Sequence, residues 1–415
     1  MKRIVHSAFL VGSLFVSCAL QADQFHYNNL VVGERAMGLA GAFTAVADDA
    51  SGVIYNPAGL GFALSNDITG SANAFYRRQI VYKDTIGGED FTEKSGGTTA
   101  PFFGGLQKLD DIYPGLVAAF GIFNLDSELK DQDDLFVDKD FINLRRFHRT
   151  ANIRSGTLGL GAAMGLRLMP GFSIGVGMSY LMIDELVQEY QDVVYTDDSF
   201  LTQNYRTHLS SNAIENSIGA QLALGSLSFG MNIKLRTIVT ENFDISRDLW
   251  TNRDDGDILD TPLRAPLTVS IKKPLEKLPT EIRFGTAWFA STSLLWTADV
   301  IHNTEAKSVY FSRNAVTNFA TGIEYYITPS IPIRTGVLTN FDARPEVKAE
   351  QLNQPDHIDY LGYSLFFALV QPNSQIAFGG IYQEGEGKAQ KTAGSAIQNV
   401  EAESLIVAFS ATHSF

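Results

Sequence analysis

From Ser404 to the end of the chain, Leu405, Val407, Phe409, Ala411 and Phe415 fall on one side of an extended segment, and Ser404, Ser410, Thr412 and Ser414 fall on the other. A period of two belongs to a strand and not to a helix. Only His413 interrupts the apolar side, at the strand's end, where it is expected at a water interface. Although 45% of the 415 residues are hydrophobic, no segment after the leader has the run of about 18 apolar residues that a membrane helix needs. The apolar content is dispersed instead through segments of strand period, each offering one face to lipid.

Segments of this kind occupy 67–78, 97–107, 115–125, 154–168, 172–190, 208–224, 227–240, 279–290, 294–305, 316–327, 331–341, 358–370, 374–385 and 402–415, an even fourteen. Tight turns at Met169-Pro170-Gly171, Gly225-Ser226, Ser291-Thr292-Ser293, Thr328-Pro329-Ser330 and Gln371-Pro372-Asn373 alternate with long polar connections. Short turns at one end and long loops at the other mark a transmembrane antiparallel barrel. The expected fold class is therefore all-β, a barrel of about 14 strands, closed because hydrocarbon cannot satisfy an open sheet edge. Ala265 to Lys273 also reads as a strand and is assigned to the outer connection 241–278, as an extension of the strand that follows. A terminal strand of a soluble sandwich is the alternative for 402–415.

The chain opens with Lys2 and Arg3, an apolar run from Ile4 to Leu20 and small residues, the pattern of a secretory signal peptide over residues 1–22. Cleavage after Ala22 or after Ala19 is chemically reasonable; a membrane anchor and a lipid on Cys18 are the alternatives. Cys18 is the sole cysteine, so a processed chain has no disulfide framework and no thiolate metal site. The formal charge of −14 gives no basic face for nucleic acid. There is no GxSxG elbow, HExxH, phosphate loop or clustered histidine set, so neither an enzyme nor a cofactor or metal is expected.

Between leader and first strand, Gly33 to Phe62 is rich in Gly and Ala and lacks alternation. Gly33, Gly38, Ala40, Gly41 and Ala42 allow close backbone packing, and Asp48-Asp49 and Asn56-Pro57-Ala58 supply turn and cap chemistry. Residues 23–66 are read as a luminal plug, or hatch, and 67–415 as the barrel; a compact domain ahead of the barrel is the alternative.

In Gly33-Glu34-Arg35-Ala36, the Gly38 and Gly41 spacing, Ala47-Asp48-Asp49-Ala50 and Asn56-Pro57-Ala58, the sequence resembles the FadL-like outer-membrane long-chain fatty-acid transporters. The resemblance continues more weakly in Leu278-Pro279, Gly285, Trp296 with Asp299, Gly322-Ile323-Glu324-Tyr325 and Arg334-Thr335-Gly336; over roughly 80–260 it is one of layout. It implies a fourteen-stranded barrel in the cell outer membrane, closed by the N-terminal hatch, that passes hydrophobic compounds, above all long-chain fatty acids, by passive diffusion. It also implies release through a lateral gap beside a kinked third strand, here about 115–125. Asn56, Pro57 and Ala58 match the hatch motif, and Gly115 and Gly121 are the candidates for bending that strand. The terminal Phe415 resembles the signal read by the barrel-assembly machinery, so the implied partners are hydrophobic small molecules, outer-membrane lipid and that machinery. The same N-terminal residues also look like barrels of this kind that act as protein secretion shuttles or assembly factors, the second reading.

Strand parity points Arg283, Asp299, Glu324, Arg334, Lys234 and Arg236 inward, since a cation facing mid-membrane lipid costs about 2–4 kcal/mol. An inward Arg or Lys can receive a ligand carboxylate. Arg283, Asp299, Glu324 and Arg334 can equally neutralise one another, whereas Lys234 and Arg236 have no obvious acidic neighbours in the sequence. The outer segment 126–153 carries Phe136 and Phe141 among other apolar residues, which either gather ligand or pack a cap on the rim. Its Arg145, Arg146, His148 and Arg149 either attract anions or are paired with acids.

Overall fold

The computed structural model describes residues 25–415 except 87, 140–142, 255–256, 309–310, 350, 352–353 and 392–396. The expected signal segment 1–22, with Cys18, and Phe141 lie outside the described residues. Among the described residues there are fifteen antiparallel strands: β1 Asp67–Ile86, β2 Glu89–Lys108, β3 Leu116–Lys139, β4 Leu144–Met169, β5 Phe172–Tyr195, β6 Phe200–Leu224, β7 Leu227–Asp254, β8 Asp257–Lys272, β9 Glu281–Phe289, β10 Leu294–Asn303, β11 Val316–Thr328, β12 Ile331–Asn340, β13 His357–Gln371, β14 Ser374–Ala389 and β15 Gln398–Ser414. Consecutive strands pair except β8 with β9, and β1 pairs with β15 from Asp67↔Ser414 to Tyr82↔Val400, which closes the sheet.

The ring has fourteen strands because β7 is shared. Its first half pairs with β9 through Lys234↔Glu281, and its second half pairs with β8 from Asn242↔Lys272 onward. The segment Ala265 to Lys273 thus belongs to the outer connection as expected, but it folds back on the strand before it instead of extending the one after. Every other expected segment coincides with one strand of the ring. The expected long outer loops differ in the first half of the chain, because β3 to β7 run on for 24 to 28 residues and their outer portions are ladder, not loop. About 9–11 residues cross a bilayer, so most of each long strand stands beyond it. Within 126–153, the described residues of β3 and β4 form such a ladder as far as Lys139↔Leu144.

The dyad pattern divides inside from outside. On β15 Leu405 and Phe409 are exposed while Ile406, Ala408 and Ser410 are buried. Farther out along the same exposed face come Glu403, Glu401 and Asn399, so the apolar band ends there. Near the short-turn end Trp288 and Trp296 face each other across β9 and β10, both exposed, with Tyr325 on β11 nearby. Aromatic side chains at this level mark a membrane interface. His413 is exposed at the end of β15, its ring beside that of Phe415. No helix among the described residues is long and apolar enough to cross a membrane.

Residues 25–66 form short turns and helices: α1 Glu34–Gly38, α2 Gly52–Tyr55 and a 3-10 segment Pro57–Phe62. Nearly all of them are buried, and they share one core cluster with inward residues such as Phe102, Phe123, Leu338 and Phe366. Glycines in the strands admit their backbone. A Cβ on Gly165 would lie 2.6 Å from the Pro57 carbonyl oxygen, one on Gly322 2.7 Å from Leu39 Cα, and one on Gly336 2.8 Å from Ala40 Cβ. Gly175, Gly219 and Gly230 are tighter still, against Pro57, Asn56 and Thr44. Side chains could not occupy these wall positions without moving the segment.

Candidate functional site

Between the N-terminal segment and the strands lies a cavity of about 120 Å³. Leu30, Val31 and Val32 form its side toward the segment, and Leu125, Leu181, Ile183 and Ile301 face them from β3, β5 and β10. Its polar side carries Lys234, Arg236, Glu281, Arg283 and Arg313. Three of the cations expected to meet a ligand therefore converge on one cavity.

They do so with acids attached, which corrects the expectation that Lys234 and Arg236 lack acidic neighbours. Glu281 takes Lys234 Nζ at 3.1 Å, Arg283 Nε at 2.5 Å and Arg236 at 3.3 Å. Glu215 accepts from Arg236 Nε at 2.7 Å and lies 3.9 Å from Lys234. The cause is register: Glu215 stands opposite Arg236, and Glu281 opposite Lys234. Glu281 shares the parity of Arg283 two residues on, a signal present in the sequence; Glu215 had no such marker.

Arg334 is elsewhere. Its Nε lies 2.5 Å from Glu324, its cross-strand partner, and another nitrogen binds Glu34 of α1. Arg35 bonds Glu324 at 3.1 Å and Asp48 at 3.0 Å, so this cluster ties the N-terminal segment to β11 and β12. Asp299 pairs with no arginine; it accepts from Phe43 N, Thr44 N and Thr44 Oγ1 at 3.1, 3.0 and 2.6 Å. Of the four charges expected to cancel one another, only Glu324 and Arg334 do so directly.

Phe136 packs at the rim, stacked on Phe147 with ring centroids 5.9 Å apart and beside Phe91 at 6.2 Å. It does not line the cavity. The basic cluster there is acid-paired: Arg145 with Asp198, Arg146 with Asp192, His148 with Asp133, and Arg149 with Glu189.

Asn56 donates from Nδ2 to the carbonyls of Thr44 at 2.8 Å and Ala220 at 3.3 Å, and its Oδ1 accepts from Ala58 N, capping the 3-10 segment. The Ala58 carbonyl accepts from Ser173 Oγ. Asn56, Pro57 and Ala58 thus join the N-terminal segment to β5 and β6. Gly115, expected to bend the third strand, sits in the turn before it with φ +79°. Gly121 lies in regular ladder between Gly104 and Gly161.

The irregularity in β3 falls between Asn124 and Asp126. There β2 and β3 also part: they pair only from Phe102↔Phe123 to Lys108↔Val117, and β2 then continues on β1 alone, β3 on β4 alone. The residue on β2 at the break is Pro101, which has no N–H to donate. Farther out, side chains reconnect the strands, with Lys130 2.8 Å from Glu93 and Gln132 Nε2 2.9 Å from the Thr92 carbonyl. Leu125 and Asp126, at the irregular point, also line the cavity; Asp126 accepts from Asn29 Nδ2 at 3.2 Å and from Ser155 Oγ at 2.9 Å.

No family model matches the chain, and no curated protein matches it. Among solved structures, a FadL homologue of Pseudomonas aeruginosa is similar with TM-score 0.63 at 13% identity, over 94% of this chain and 100% of that one. The toluene transporter TodX of P. putida gives 0.59 at 13%, over 94% and 99%. The toluene transporter TbuX of Ralstonia pickettii gives 0.59 at 11%, also over 94% and 99%. At such identities the likeness is one of architecture: the chain has a FadL-like fold over nearly its whole length.

Proposed function

We propose that this FadL-like barrel lies in the outer membrane and passes hydrophobic small molecules by diffusion, with residues 1–22 as the signal peptide, 23–66 as the plug and 67–415 as the barrel. The exposed apolar band with its aromatic girdle supports the membrane location. Phe415 at the end of β15 suits recognition by the barrel-assembly machinery. In this reading a ligand occupies the cavity between plug and wall and leaves sideways into lipid through the unpaired interval of β2 and β3.

The observation that carries the reading is that Leu125 and Asp126 belong both to the cavity wall and to the point where β3 leaves β2. A ligand there is one side chain from the interval. Lys234, Arg236 and Arg283 stand on the polar side of this cavity, and its volume supports a compound, or a portion of an alkyl chain, about the size of one ring. Uptake of labelled oleate and labelled toluene by a transporter-deficient strain expressing the chain tests the proposal. Accumulation of either is expected; accumulation of neither, with the barrel correctly inserted, would refute it.

A further inference from the structure

The acids of the cavity divide its ligands by charge. Lys234, Arg236 and Arg283 line the cavity with side chains at most 10% exposed. Glu281 spends both oxygens on all three, and Glu215 holds Arg236 and stands beside Lys234. Arg313, the fourth cation on the lining, lies over the Phe25 ring at 5.1 Å. Asp126 is the second acid on the lining, and buried Glu185 lies within electrostatic reach of Arg313. Lys234, Arg236 and Arg283 thus each have an acid in contact before any ligand arrives.

We propose that Glu281, seconded by Glu215, is an internal counter-ion that makes this cavity select uncharged compounds of about one ring over carboxylates of the same size. This rests on the transport reading above. A ligand carboxylate would compete with Glu281 for the same three cations and would bring an uncompensated charge into a mostly apolar enclosure. An uncharged ring meets Leu30, Val32, Leu125 and Ile183 and leaves the ion pairs intact. The volume suits it, since an apolar cavity of about 150 Å³ takes up benzene. Replacing Glu281 by Gln removes the main counter-ion, and a ligand carboxylate becomes the natural replacement.

Toluene and benzoate differ by the carboxylate alone. Equilibrium binding of each labelled compound to the purified full chain at pH 7, corrected for partition into detergent, is expected to favour toluene at least tenfold. Glu281→Gln is expected to narrow or reverse that ratio by at least tenfold. Adding Lys234→Met to Glu281→Gln restores the balance and should restore the preference for toluene. Glu215→Gln, which loses a close bond to Arg236 alone, gives a smaller shift in the same direction and serves if Glu281→Gln does not yield a heat-modifiable barrel. Benzoate bound by the unaltered chain as tightly as toluene, or a ratio unmoved in both Gln variants, would overturn the inference and leave the transport reading standing. Binding of neither compound would overturn both.

Discussion

Gln132 on β3 reaches the backbone of β2 where the two strands share no ladder: its Nε2 donates to the Thr92 carbonyl at 2.9 Å, and its Oε1 accepts from Lys94 N at 3.2 Å. One side-chain amide makes the pair of bonds that a strand neighbour would otherwise make. With the Lys130–Glu93 ion pair it bounds the unpaired interval on the outer side, as Phe102↔Phe123 bounds it on the inner.

Gln132→Ala is expected to free the outer part of β2 while the ring stays closed. Each lost hydrogen bond contributes about 1 kcal/mol, so amide exchange over residues 92–97 should accelerate several-fold, with β9 to β14 unaffected. Hydrogen-exchange mass spectrometry reads this directly. Unchanged exchange in β2 would mean that Gln132 bears no part in holding the interval.

Gly322→Val and Gly230→Val place a side chain where Leu39 and Thr44 of the N-terminal segment run. Both are expected to displace that segment and to raise ion conductance in planar bilayers, as deletion of residues 33–59 should. Gly70→Ala is the control, since a Cβ there meets nothing nearer than the Phe103 ring at 3.8 Å. Conductance equal to that of the unaltered chain in both Val variants would argue against a plug.

Asp299→Ala removes the carboxylate that accepts from the backbone amides of Phe43 and Thr44 and from the Thr44 hydroxyl, of which the Phe43 amide alone keeps a second acceptor, the Gly41 carbonyl at 3.0 Å. Loss of charge-assisted bonds together with a stranded Thr44 N–H should weaken docking of the segment by on the order of 3 kcal/mol. Asp299→Asn, which keeps an acceptor, should cost less. Limited proteolysis between residues 33 and 62 measures the order of the three proteins, and equal resistance in all three would contradict it.

Burial pushes the Asp49 carboxyl from 3.8 up to about 6, against the hydrogen bonds it accepts from Ser51 N and Oγ. A carboxyl that titrates higher when docked takes up a proton on docking. Its contribution is therefore complete below about pH 4 and is lost as pH rises through 6. Amide exchange in Gly52–Tyr55 should quicken between pH 4 and 7, after correction for intrinsic rates, and Asp49→Asn should flatten that dependence. A corrected rate that falls with pH would reverse the sign and refute the assignment.

The sequence shows its greatest depth of information in β15 and its least around Lys234. Alternation from Leu405 to Ala411 identifies the lipid face without reference to any other strand, because the period of two is local and hydrocarbon tolerates no error in it. Gly97 and Pro101 lie within 97–107, a segment that reads as ordinary strand, and nothing local says that its neighbour β3 turns away at Asn124. The expected bend was instead sought at Gly115 and Gly121, since glycine permits a bend but does not require one. Strands also end later than the pattern suggests, β1 at Ile86 and not near 78, because hydrogen bonding continues where alternation no longer has lipid to face.

By itself, then, the sequence determined that the barrel has about fourteen strands, which side of each faces outward, and that a small-residue segment precedes them. All of these follow from side-chain periodicity and size within short windows. Only the tertiary structure decided which charges meet, where the wall parts, and what the N-terminal segment touches. Glu215 of β6 and Glu281 of β9 reach Lys234 and Arg236 of β7, and Asp299 holds Thr44 across 255 residues. Such partners are set by register and by closure of the ring, quantities that no stretch of ten residues contains.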